Sequence, residues 1–373
     1  MSTSLQGKKR RQPPQRTVAA SGLERSGGHP LGVHRVVGSQ VLPQEAAQLD
    51  ASLPLFRNEI LIAVKTLNID AASFVQMESQ CRGDDALIGK MVLETIQTRG
   101  KQHNPVTGSG GMLLGTVQQI GSRFPAGALR VGDSVATLVS LTLTPLAISR
   151  INAIRKKMHQ IDVDGHAILF ERTILAKLPN DLPAGVVLAA FDVAGAPAST
   201  YRQVRHGDIV IIFGAGGKAG LLSCVAARQK LGKSGCLIAI EPNPEACKDL
   251  KSLAVCDRIE QIDATSALEV YSRVAKITHG KMGKRVWNMA SVGGTETATL
   301  LATAPEGEAT FFSMATQFPR VALAAEGMAH RAKLVIGNGY VPGHSDYCVR
   351  LLRQNPKLYR VFCRRYLAPP SDR

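Results

Sequence analysis

The stretch Gly214-Ala215-Gly216-Gly217-Lys218-Ala219-Gly220, straight after the apolar run 208–213, carries the most legible chemistry in this chain. A first glycine permits a tight turn, a second lets backbone N–H groups approach a pyrophosphate, and a small residue at Ala219 lets helix and strand pack closely. The helix that follows offers unpaired N–H donors and a positive dipole end to an anion. A second apolar run, 236–240, ends on Glu241, where an acid can hold the hydroxyls of an adenosine ribose. An acid there repels a 2′-phosphate, so the expected dinucleotide is NAD rather than NADP. Asn243 either assists at the ribose or caps the next helix ahead of Glu245. Lys218 reaches either the pyrophosphate or solvent. Asn288, at the end of a strand expected at 285–290, and Gly293 beyond it fall at the carboxyl edge of a sheet, where they are expected to line the nicotinamide.

These residues need a scaffold. From 208 onward strand and helix patterns alternate, as a doubly wound parallel sheet requires. Strands are expected at 208–213, 236–240, 257–262, 285–290, 308–314 and 333–337. Helices are expected at 243–253, 264–278, 293–303 and 318–329. Upstream, short strands separated by Gly, Pro and Asn make 30–180 read as mainly β, with strands at 58–67, 112–120 and 134–140. A helix rich in Ala and Val at 184–204 joins the two textures. An amphipathic helix near 345–365 is expected to return to the first unit. The fold class is therefore α/β. A basic tail, 1–27, precedes a discontinuous catalytic domain (28–190 and 338–373), into which a nucleotide-binding domain (191–337) is inserted.

Composition narrows the setting. The 373 residues are 45% hydrophobic, enough for two packed cores, and no apolar run is long enough to span a membrane. The seven cysteines are scattered and form no C-x-x-C pair, which favours free thiols in a cytoplasmic enzyme over disulfides or a zinc knuckle. Part of the net charge of +16 sits at the N-terminus, where Lys8, Lys9, Arg10, Arg11, Arg16 and Arg25 face only Glu24. That segment reads as a solvated tail. The remainder suits an anionic cofactor and a carboxylate substrate.

Order and spacing resemble the medium-chain dehydrogenase/reductase superfamily: a GroES-like β domain, a linking helix, a Rossmann unit and a return. Gly108-Ser109-Gly110-Gly111-Met112-Leu113-Leu114-Gly115-Thr116-Val117 stands where that superfamily usually carries Gly-His-Glu before a strand. Ser109 replaces the zinc-binding His and Gly110 the Glu. Cys81 lies near a first-ligand position without partners. A zinc-free member, with no metal, is expected. The segment 99–112, with 28–35, 214–222 and 336–344, is similar to the L-erythro-3,5-diaminohexanoate dehydrogenase family over roughly 27–367. The resemblance implies NAD-dependent oxidative deamination within lysine degradation, an amino-acid substrate, and a homodimer.

Such chemistry must deprotonate an ammonium, align the adjacent C–H and activate water. Under that resemblance Lys101 serves as base if desolvated, or His103 without tuning. Arg99 can hold the carboxylate, while Asn104, Thr107 and Ser109 orient water or substrate. Glu78 is preferred over Asp70, Asp84 and Asp85 as partner for an ammonium group. Tyr340 and His344, where the chain returns, are expected beside the substrate. Two alternatives remain: a zinc-free quinone or enone oxidoreductase of the same superfamily, and a nucleic-acid-binding protein with a vestigial Rossmann unit. Glu241 and the polar 101–109 loop argue against the first. Low aromatic content argues against the second and makes nucleic acid an unexpected partner.

Overall fold

The computed structural model describes residues 24–138, 140–337 and 339–367. The expected basic tail lies, up to residue 23, outside the described residues. Six antiparallel strands form the first sheet: β1 (Glu59–Asn68), β2 (Met112–Ile120), β3 (Ser134–Thr137), β4 (Leu146–Arg155), β5 (Gln160–Phe170) and β6 (Leu175–Lys177), in the order β4-β5-β1-β2-β3-β6. Ile60, Ile62, Val64 and Leu67 of the central β1 meet Leu113, Val117, Ile161 and Val163 in one core.

This region is less purely β than its punctuation suggested. Two helices, α1 (Ala71–Gln80) and α2 (Asp85–Arg99), cover the sheet and insert Phe74, Met77, Val92 and Ile96 into the core. The sequence does carry their signals. Asp84 caps α2 by accepting from the Leu87 N–H at 3.0 Å, and Ile88, Val92 and Ile96 recur every four residues. Gly100 then ends the helix at φ 61°, a left-handed position that glycine adopts at little cost.

The second sheet is parallel. It comprises β7 (Ile209–Phe213), β8 (Cys236–Ile240), β9 (Arg258–Glu260), β10 (Gly283–Asn288), β11 (Thr303–Phe311) and β12 (Lys333–Ile336), in the order β12-β11-β10-β7-β8-β9. The strand order reverses between β7 and β10, which makes the mouth of that crevice the place for a ligand. The joining helix is broken into α3 (Ala184–Phe191) and α4 (Gly195–Gln203). Five further helices flank the sheet: α5 (Lys218–Leu231), α6 (Pro244–Leu253), α7 (Ala267–Thr278), α8 (Glu296–Leu301) and α9 (Phe318–Gly327).

The closing helix is also two, α10 (His344–Gln354) and α11 (Pro356–Tyr366), separated at Asn355 because proline cannot continue a helix. Both lie on α3–α6 rather than against the antiparallel sheet. Leu351, Leu352, Leu358 and Phe362 join the core that holds Val187, Leu188, Leu221 and Leu222. A strongly amphipathic helix must bury its stripe somewhere, and the apolar faces of α3 and α5 provide the place.

Candidate active site

The turn from β7 to α5 forms one wall of a cavity of about 820 Å3, which also touches Glu241, Asn243 and the 289–292 segment. Gly214 sits at φ 66°, and a Cβ there would come within 2.7 Å of the Ala290 nitrogen after β10. Gly217 is open: a Cβ there would meet only the Gly214 oxygen, at 3.5 Å. The close helix–strand approach falls to Gly220, whose Cβ would lie 2.3 Å from that same oxygen. Ala219, expected in that role, instead packs partly buried against the main core.

Glu241 is 8% exposed and held at both oxygens, accepting from the Gly216 N–H at 2.9 Å and the Asn243 N–H at 3.1 Å. Asn243 caps α6, accepting from the Glu245 and Ala246 amides, while still touching the cavity. A glycine cradle open at Gly217 with a fixed carboxylate at its far rim fits a nicotinamide dinucleotide.

Two expected cofactor contacts serve elsewhere. Asn288, 1% exposed, donates to the Thr295 and Thr299 hydroxyls and accepts from the Ala290 N–H, bracing the loop after β10. Gly293 lies against Gln317 and Ala315. Arg365 carries no mark in the sequence that points to this site. Its guanidinium donates to the Gly216 carbonyl at 2.7 Å and to Asp249 of α6, which also pairs with Arg364.

The 99–109 loop does not converge on one point. Lys101 is fully buried, and its ammonium donates to the carbonyls of Pro43 at 2.8 Å and Gln44 at 3.1 Å. Burial first, and Arg99 second, push its pKa down to about 8. His103 is pushed down by burial and then by Lys101 and Arg99, and its buried Nδ1 has no hydrogen-bond partner among the described residues. Asn104 folds the loop onto α1: it donates to Gln76 at 2.9 Å and accepts from the Val106 and Thr107 amides. Ser73 of α1 then gathers Thr107 at 2.5 Å and Ser109 at 2.6 Å into a hydroxyl cluster. Arg99 is half-buried at the end of α2. Tyr340 and His344 pack edge to face at 5.4 Å by the start of α10, where burial lowers the His344 pKa.

A second polar group forms between the two sheets. Lys218, the first residue of α5, turns from the cavity to pair with Asp192 beyond α3. Burial opposes its charge, but Asp192 outweighs that and holds the ammonium above its ordinary pKa. His159, in the turn joining β4 to β5, stacks on Phe74 with ring centroids 5.1 Å apart. Its carbonyl accepts from the Ile69 N–H at 2.9 Å, which fixes the turn over the end of β1. Burial first and then Lys218 lower its pKa, against the pull of Glu78, Asp70 and Asp192. Of this group the sequence reading singled out Glu78 and Lys218 but missed His159 and Asp192. Among the described residues, no three His, Cys, Asp or Glu side chains are grouped to hold a metal ion.

An antiparallel lobe, a doubly wound lobe with a dinucleotide cradle, and a polar cluster between them define a two-lobed dehydrogenase or reductase. Solved structures share this fold. CurK enoyl reductase aligns at a TM-score of 0.53 with 16% identity, covering 83% of this chain and 82% of its own. An alcohol dehydrogenase from Thermotoga maritima aligns at 0.52 with 16% identity, covering 83% and 85%.

Residues 34–179 match the L-erythro-3,5-diaminohexanoate dehydrogenase N-terminal domain. The L-erythro-3,5-diaminohexanoate dehydrogenase of Acetoanaerobium sticklandii is 40% identical over 342 residues, spanning 91% of this chain and 99% of its own length. The chain belongs to the L-erythro-3,5-diaminohexanoate dehydrogenase family.

Proposed function

We propose that this chain catalyses the NAD-dependent oxidative deamination of L-erythro-3,5-diaminohexanoate to 5-amino-3-oxohexanoate and ammonia, a step of lysine degradation. The near-full-length identity to the Acetoanaerobium sticklandii enzyme supports the substrate. The observation that carries the reading in this chain is the charge of the inter-lobe cluster. Asp70, Glu78 and Asp192 bring acidic groups to the same place as Lys218 and His159, in a protein whose net charge is +16. A substrate with two ammonium groups and one carboxylate is attracted to such a site, whereas a neutral quinone gains nothing from it.

Glu241 supports NAD: a 2′-phosphate at this rim would face a buried carboxylate held by two amides. Bound in the cavity, the nicotinamide would supply the hydride acceptor. Gly217 leaves room for its pyrophosphate, and the amide end of α5 favours the anion. The hydroxyls of Ser73, Thr107 and Ser109 offer donors and acceptors for water at the edge of α1.

All seven cysteines are free thiols, which supports a cytoplasmic setting. The edge strand β12 and its surroundings expose Leu334, Ile336 and Met314, which supports a homodimer.

The test is purified protein with NAD or NADP and a panel of β-amino acids including the diamine, following NADH absorbance and free ammonia together. Diamine-dependent formation of both products with NAD is expected. Activity on quinones or enones with NADPH, and none on the amine, would refute the reading.

A further inference from the structure

His159 lies at a position the fold makes deliberately. The turn between β4 and β5 ends in the 3-10 segment Lys156–Met158, and His159 closes it in the left-handed region at φ 54°. The turn is then tied to the chain just beyond β1 by the Ile69–His159 backbone bond, two residues before α1 begins at Ala71. The ring lies on the face of Phe74, and among the described residues no hydrogen bond occupies either ring nitrogen. Around it stand Lys218 from α5, Asp192 from the end of α3, Asp70 from the end of β1 and Glu78 from α1. Lys218 follows directly on Gly217, which borders the cofactor cavity. An imidazole with free nitrogens thus lies where the cradle meets the carboxylates.

We propose that His159 is the general base of the deamination, taking the proton from the substrate's 3-ammonium and later from the attacking water. This rests on the proposed function. In the first step an imidazole nitrogen accepts a proton from the C3 ammonium, leaving a neutral amine and an imidazolium. The amine lone pair then forms the C=N bond as the C3–H bond breaks, its electron pair passing as hydride to the oxidised nicotinamide. Substrate loses two electrons and the nicotinamide gains them. After the imidazolium releases its proton to solvent, the ring takes a proton from water as the water oxygen adds to C3. The carbinolamine nitrogen recovers that proton, the C–N bond breaks, and ammonium leaves with the hydroxyl proton as the ketone forms. A base for this role must be neutral near pH 7. Burial and the Lys218 ammonium favour the neutral ring, with Glu78, Asp70 and Asp192 stabilising the imidazolium once it forms.

The experiment compares wild type with His159→Asn and His159→Gln. Asparagine tolerates a left-handed backbone well, so the first variant keeps the turn. Both variants should bind NADH as wild type does by fluorescence titration, while kcat for the diamine falls by about a hundredfold or more. In the wild type, kcat/KM should fall on the acid side with an apparent pKa below the usual histidine value of 6.5, and the variants should lose that limb. Added imidazole should restore part of the rate to His159→Asn.

Near-normal kcat in a variant that binds NADH overturns the proposal. So does a wild-type acid limb near the Lys101 value of about 8, a readout that does not depend on either variant folding. A wild-type protein that forms no NADH from the diamine refutes the proposed function itself, which separates the two failures.

Discussion

Glu241 and Lys101 are both buried charges, and their partners give them opposite roles. The Glu241 carboxylate fixes the glycine turn through Gly216 while facing the cavity, so its removal costs the cradle an anchor. Glu241→Ala is expected to weaken NADH binding about tenfold, equivalent to ~1.4 kcal/mol, in a fluorescence titration. Lys101 spends its donors on the carbonyls of Pro43 and Gln44 and so acts as a strut rather than a base. Its pKa is about 8 in the fold against an ordinary 10.5, so between those values the unfolded chain binds the proton that the folded chain has released. Stability should therefore rise with pH across that window, the burial penalty being full below pH 8. Denaturant melts at several pH values should show this rise in wild type and lose it in Lys101→Met. That variant should keep most of the wild-type turnover.

Among the elements, α11 has the widest reach. It is held in the apolar core by Leu358 and Phe362, and its far end carries Arg365 back to the Gly216 carbonyl and to Asp249 of α6. The helix thereby clamps the turn whose opposite side is held by Glu241. Asp249→Ala leaves Arg364 and Arg365 without their carboxylate, and it should destabilise the fold by about 2 kcal/mol and weaken NADH binding. The check is a melt alongside the titration. An unchanged NADH affinity would show that α11 stabilises the lobe without shaping the cradle. Much at this scale was readable beforehand: β1, β2, β7 and β8 follow apolar runs, and α6 follows its Asn243 cap, whereas β11 begins at Thr303, five residues before the strand expected from 308. The misses have physical causes. α1 and α2 were hidden by the glycine and proline punctuation around them, although Ile88, Val92 and Ile96 kept helical spacing. The single closing helix became two because Pro356 can begin a helix but cannot sit inside one.

For the whole molecule, the two lobes meet at the group formed by His159, Lys218 and the acids beside them. The edge of the parallel sheet remains uncovered at β12, where Ile336 is 69% exposed and Leu334 41%. A dimer joined there should be broken by Ile336→Lys, giving the mass of one chain by light scattering, with the fold retained by circular dichroism because Ile336 is exposed in the single chain. A dimer that survives would place the interface elsewhere.

The sequence by itself determined the turn, the acid and the alternation of strand and helix that a doubly wound sheet needs. These depend on local properties: a glycine's freedom at φ 66°, the alternation of apolar runs, and an acid at a strand's end. The family resemblance was likewise legible, since whole segments such as 99–112 carry it. Tertiary structure alone decided where the long polar side chains end. Lys101 turned to a strap 58 residues upstream, Lys218 to Asp192 across 26 residues, and Arg365 to Gly216 across 149. Each has rotatable bonds enough to reach several partners, and only the assembled lobes fix which carboxylate or carbonyl lies within reach. His159 is the sharpest case. Nothing near it in the sequence marks it, and its place between Phe74, Lys218 and three acids exists only once the β4–β5 turn has folded over the end of β1.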